Sequence, residues 1–234
     1  MPNYRTGDVI ADGQLVALRG LSPAAFTGLT PVDVGLNIAI KHLCNLSHPN
    51  GYDIAPSIDE VPTTLAQVVA NVETTGRFLI WSGECEGSIY ACAETNMDLR
   101  AWHDKVHYDY NLDFNMAGEA AAVYIQIAQL MQVFGNRACL KQWAALIIAD
   151  ILGLVVSYRQ AGDTWPTEKR NSTLALVPTW ERLAHNLVDS LAAVSPGTRA
   201  NRSDYALALA AQVWGRPHPV IKMGRFIAAP LNAR

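Results

Sequence analysis

Two histidines one helical turn apart, His103 and His107, mark where this chain could do chemistry, in the stretch "LRAWHDKVHYDYNLDFNMAGEAAAVYIQIAQL". At a spacing of (i, i+4) both imidazoles leave the same side of a helix, close enough to share one ion that the helix has prepared for. Glu119 follows on a second helical pattern whose face runs Glu119, Val123, Ile127, Leu130, Phe134, which puts a carboxylate on an apolar stripe. Asp150 repeats the arrangement in "AALIIADILGLVV", in line with Leu146, Leu154 and Ser157. A buried carboxylate must be paired, protonated or bound to a cation, because isolated burial of its charge is costly. His103, His107, Glu119 and Asp150 are therefore the expected metal ligands, and their mix of nitrogen and oxygen suits Zn²⁺, Mn²⁺ or Fe²⁺ better than Ca²⁺. Asp104, lying between the histidines, is the expected catalytic residue, as general base or bridging ligand. A bound divalent ion lowers the pKa of its water toward ~7, and the water can then attack a phosphate or amide centre.

Each of these residues also admits a structural role. The histidines could hydrogen-bond inside a bundle. Glu119, behind Gly118 near a helix start, could serve the helix dipole. Asp150 could pair with Arg137, Lys141 or Arg159, so it is expected to touch either an ion or a basic side chain. His48, in the turn "SHPNGYD", could reach the site, while His185 reads as a core or interface residue. Trp102, Tyr108, Tyr110 and Phe114 read as bundle packing.

The elements that must position these groups are mostly helical. Residues 1–62 are rich in turn formers, with one short helix in "VDVGLNIAIKHLCNL". The segment "TTLAQVVANVETTG" predicts a helix opened by a threonine cap and closed by Gly76. "RFLIW" and "SIYACA" predict two short strands joined by a loop with Gly83 and Gly87. Helices are expected at 97–109, 117–134, 137–161, 178–194 and 203–213. The proline-containing end predicts an extended tail. The expected fold is mainly α: a helical bundle with a small β-hairpin and irregular terminal segments. Its zones are a turn-rich N-terminal segment with a helix and the hairpin (1–96), the helical metal-site bundle (97–214) and the tail (215–234).

Bulk properties bound the function. Half of the 234 residues are hydrophobic and 17% are charged, enough for a sizeable core. A net charge of −3 argues against a protein built to grip nucleic acid. The four cysteines form no CxxC pair; Cys85 and Cys92 could face each other across the hairpin, but free thiols are the expected state. No signal peptide is expected, and the apolar run at 144–156 is too short to span a bilayer and carries Asp150. The expected setting is the inside of a cell, without membrane or nucleic-acid partners. Phosphate-binding glycine loops and nucleophile elbows are absent from the sequence.

Three resemblances attach to the same residues. "HDKVH" is similar to the HExxH helix of zinc metallopeptidases, with Asp104 in the place of the glutamate. That resemblance implies zinc on His103 and His107, Glu119 as third ligand and Asp104 activating water. The pair His103–Asp104, with Asp150 on a later helix, resembles the core of the HD phosphohydrolases, an all-α family. It implies a further histidine from an earlier helix, for which His42 and His48 are the upstream candidates. The block "LRAWHDKVHYDYNLDFNMAGE" with "ADILG" resembles a group of tailed-bacteriophage proteins sharing a W-H-D-x-x-H…G-E pattern, over residues 75–165 at most. That resemblance implies a viral origin, with the host cytoplasm or a virion as the setting. The combined expectation is a metal-dependent, phosphohydrolase-like enzyme acting on a small molecule. The alternative is a phage structural or interaction protein that contacts other virion proteins and whose metal only staples helices. Assembly into homo-oligomers is open to both.

Overall fold

The structure, a computed structural model, describes residues 32–90, 92–135, 138–162, 166, 168–194 and 202–215. The turn-rich stretch up to residue 31, Arg137, His218 and the expected tail beyond Gly215 lie outside the described residues.

The chain is mainly helical. Helix α1 (Val34–Ser47) is capped by Asp33, whose side chain accepts from the Leu36 amide at 2.8 Å. After strand β1 (Asp53–Ala55), helix α2 (Leu65–Thr75) starts with a reciprocal capping box between Thr64 and Gln67 and stops at Gly76, which takes φ +73°. Strand β2 (Leu79–Trp81) follows, then α3 (Ala93–Tyr110) and α4 (Met116–Phe134). Helix α5 (Cys139–Ile148) runs through a π-helical turn (Ala149–Gly153) into α6 (Leu154–Gln160), and α7 (Lys169–Ala192) and α8 (Arg202–Trp214) complete the bundle.

Helix α4 is the axis of the fold. Every residue from Ala120 to Met131 is buried, so no side of the helix faces water, as expected of a central helix. Helix α8 packs along it, α7 packs on α5, and α1 packs on α3. One core joins Leu36 and Ile40 of α1, Ile80 of β2 and the bundle helices, so residues on both sides of position 96 share it. The 22 residues Cys139–Gln160 are long and apolar enough to cross a membrane by length and composition, but most of this stretch is buried against the other helices.

Three local expectations need correction. The expected hairpin is a two-stranded parallel pair: β2 aligns with β1, Ile54 opposite Ile80. Residues 88–90 and 92 form bends, and β1 comes from the turn-rich zone, where three residues are too few for an alternation to register in the sequence. Helix α7 begins nine residues before the expected start at 178 and runs straight through Pro178. The lost hydrogen bond is tolerated because Ala184, Leu187, Val188 and Leu191 bury against the core. The expected single helix at 137–161 is interrupted by the π turn, which contains Asp150.

Candidate metal centre

Helices α3 and α4 form an antiparallel hairpin, and its turn builds the site. Asn111 ends α3 in the left-handed conformation, φ +53°, with its amide on the His107 and Tyr108 carbonyls. Asn115 caps α4 by accepting from the Ala117 and Gly118 amides. Between them the loop crosses so closely over the first turn of α4 that a Cβ on Gly118 would lie 1.8 Å from the Asp113 carbonyl oxygen. Only glycine fits there, and the tight crossing brings Glu119 under the two histidines of α3.

Three side chains converge. His103 Nε2 lies 3.0 Å from Glu119 Oε2 and 3.0 Å from His107 Nε2, and His107 Nε2 lies 3.6 Å from Glu119 Oε1. A tetrahedral ion with bonds of roughly 2.0–2.1 Å would set its ligands about 3.3 Å apart, so these separations bracket what one ion requires. His103, His107 and Glu119 could hold a metal ion. Both outer ring nitrogens are occupied. His107 Nδ1 lies 3.0 Å from the Leu112 carbonyl oxygen, and His103 Nδ1 lies 2.9 Å from Gln126 Oε1. A carbonyl can only accept, so His107 carries its proton on Nδ1, and its Nε2 lone pair faces the cluster. Phe114 stacks on the His107 ring with centroids 4.4 Å apart and holds its plane.

The electrostatics follow from burial and from these partners. Burial opposes charge on Glu119, but the two imidazoles hold its carboxyl far below the ordinary carboxylate range. Burial favours the neutral form of His103; Glu119 and Gln126 outweigh it and raise the ring above its ordinary value. Burial pushes Asp104 up to about 6, against the pull of His103 and His107.

The site is open on one side. His107 is fully buried, whereas His103 and Glu119 line a cavity of about 380 Å³. Asp104, Asp150, Arg100 and Lys169 line the same cavity, with Trp81, Leu99 and Leu154 among its apolar walls. Arg100 donates to the Trp81 and Gly83 carbonyls, which fixes the loop after β2, and Lys169 pairs with Glu84 at 2.5 Å. The Asp104 carboxylate makes no hydrogen bond or ion pair among the described residues.

Asp150 stands apart from the three converging groups. Its carboxylate accepts from Tyr90 Oη at 3.0 Å and from Thr173 Oγ1 at 3.1 Å. No ion pair reaches it among the described residues: Lys141 pairs with Asp189, and the Arg159 guanidinium lies over Tyr158. Its direct partners among the described residues are two hydroxyl donors and no basic side chain. Burial raises its pKa above the ordinary value, against the effect of those two hydrogen bonds.

The other histidines among the described residues do not reach the cluster. His48, a candidate that could have reached the site, is buried with Nε2 on the Ala101 carbonyl of α3 at 2.8 Å. His42 packs edge-on against Phe134, and His185 sits 3.8 Å from Glu181. The cysteines are free thiols. Trp102 packs in the core and donates to Gln129 Oε1 at 2.6 Å. Sequence reasoning passed over Gln126, Leu112, the constraint on Gly118 and the stacking of Phe114. For Gln126 a signal existed: it is a polar residue inside the apolar run "AAAVYIQIAQL".

Comparison of the chain with protein-family models, with curated proteins and with solved structures finds no match.

Proposed function

We propose that this protein is a divalent-metal-dependent hydrolase, with His103, His107 and Glu119 as ligands and Zn²⁺ as the best-suited ion. One observation carries the reading: three side chains that could ligate one ion converge at the wall of a cavity, not inside a closed core. Structural zinc sites are closed by four protein ligands, whereas catalytic ones keep a position for water or substrate. A His₂Glu set beside open space belongs to the second kind. When bound, the ion lowers the pKa of a water toward ~7 and polarises the group under attack.

The chain's own residues supply the rest. Leu112 and Gln126 orient the two rings, and the buried α3–α4 pair keeps the ligands rigid. Asp104, facing the cavity without a partner among the described residues, accepts the proton of the attacking water. Arg100 and Lys169 on the cavity wall favour a substrate with an anionic phosphoryl group over a peptide.

The test is a panel of phosphomonoesters, nucleoside triphosphates, cyclic nucleotides and short peptides, assayed with Zn²⁺, Mn²⁺ and Mg²⁺. Wild type should turn over a phosphate ester, and Asp104→Asn should keep the ion while losing turnover. If metal-loaded wild type turns over nothing and its ion carries four protein ligands without water, the enzyme reading is wrong. The site would then be a helix staple in a structural protein.

A further inference from the structure

We infer that Gln126 is the positioning residue of this centre: its side-chain carbonyl selects the tautomer of His103 that turns the Nε2 lone pair toward the ion. The inference rests on His103, His107 and Glu119 being ligands.

Gln126 is fully buried on α4, between Ile125 and Ile127, which are themselves fully buried. Its Oε1 lies 2.9 Å from His103 Nδ1. Its Nε2 is buried and has no hydrogen-bond partner among the described residues. A buried amide left half-satisfied destabilises a fold, and a methionine of similar shape would suit these surroundings without an orphaned donor. Fold stability therefore does not account for a glutamine here. The neighbouring Gln129 differs, because its Oε1 ties down the buried Trp102 indole.

What Gln126 does supply is an acceptor. With Oε1 toward the ring, His103 carries its proton on Nδ1, and Nε2 is free to bind metal. With the amide turned over, Nε2–H would point at Nδ1, the ring proton would move to Nε2, and the ligand position would be blocked. At His107 the same part is played by the backbone carbonyl of Leu112, which cannot turn over independently. The two supports thus aim both Nε2 atoms at one point, 3.0 Å apart.

The experiment compares wild type, Gln126→Met and Gln126→Glu. Zn²⁺ affinity is read by competition with a chromophoric chelator, the ligand field by the absorption spectrum of bound Co²⁺, and stability by melting of the metal-free proteins. Gln126→Met should melt at or above wild type without metal, yet bind Zn²⁺ about 10- to 100-fold more weakly. Its Co²⁺ spectrum should also change. Gln126→Glu, which keeps an acceptor for Nδ1–H, should restore wild-type affinity or exceed it. Equal Zn²⁺ affinity in wild type and Gln126→Met would overturn the inference while leaving the metal site standing. So would failure of Gln126→Glu to restore binding. A Gln126→Met protein that melts far below wild type without metal would also overturn it, since the glutamine would then be serving the fold. Absence of binding by wild type itself would remove the metal reading and this inference together.

Discussion

Glu119 and Asp150 are both carboxylates that line one cavity, yet their surroundings push them in opposite directions. Glu119 faces two imidazole nitrogens and stays ionised far below the ordinary carboxylate range. Asp150 faces two hydroxyls, and burial raises its pKa. The first arrangement assembles lone pairs around a point, as a cation requires. The second gives the carboxylate two hydroxyl donors as its direct partners. An acid on a buried helical stripe is thus an ambiguous sign, and the groups across from it decide between ligand and brace.

The largest test of this contrast is metal affinity. Glu119→Gln should weaken Zn²⁺ binding by more than the roughly 100-fold expected from loss of a supporting group. Asp150→Asn should leave it within a factor of a few. Equal losses in the two variants, measured by chelator competition, would erase the distinction drawn between the two acids.

The next effect concerns the turn that places Glu119. Gly118→Ala would drive a Cβ into the Asp113 carbonyl, a backbone atom that cannot swing aside. A loss of about 3 kcal/mol in chemical denaturation is expected, at the upper end for overpacking, with weakened metal binding as α4 shifts. A neutral Gly118→Ala would mean that the loop does not cross the helix this closely.

The smallest effect lies at Asp150. Tyr90 and Thr173 hydroxyls can turn to accept from an amide, so Asp150→Asn should change stability by less than about 1 kcal/mol near neutral pH. The pH dependence has a definite sign. Because the folded-state pKa of Asp150 is raised above its ordinary value, the ionised form carries a penalty in the folded state at every pH above that raised pKa. The penalty is relieved as pH falls through it, so wild type should gain on Asp150→Asn between neutral pH and about pH 4. Parallel melting curves of the two proteins across that range would contradict the burial argument.

Much of the site was legible in the sequence because a helix converts spacing into direction. The (i, i+4) histidines and the stripe through Glu119 each fix a face without knowledge of the fold. Long helices such as α3 and α4 were legible for the same reason. The supports were not. The Leu112 carbonyl carries no residue-type signal, and the need for glycine at 118 arises only from where the loop crosses. The hydroxyl partners of Asp150 were not legible, because Tyr90 and Thr173 lie 60 and 23 residues away in sequence. The π turn adds a residue to the helix and shifts the phase from which its direction was inferred. The parallel pairing of β1 with β2 depends on the whole of α2 lying between the strands.

The central claim is that His103, His107 and Glu119 hold one ion that keeps a position open toward the cavity. It is tested most directly on untagged protein, by measuring metal content together with X-ray absorption at the metal edge. The expected result is one divalent ion per chain, bound by two imidazoles, one carboxylate and at least one water, and lost in both His103→Ala and His107→Ala. No stoichiometric ion, or an ion retained by both histidine variants, would contradict it.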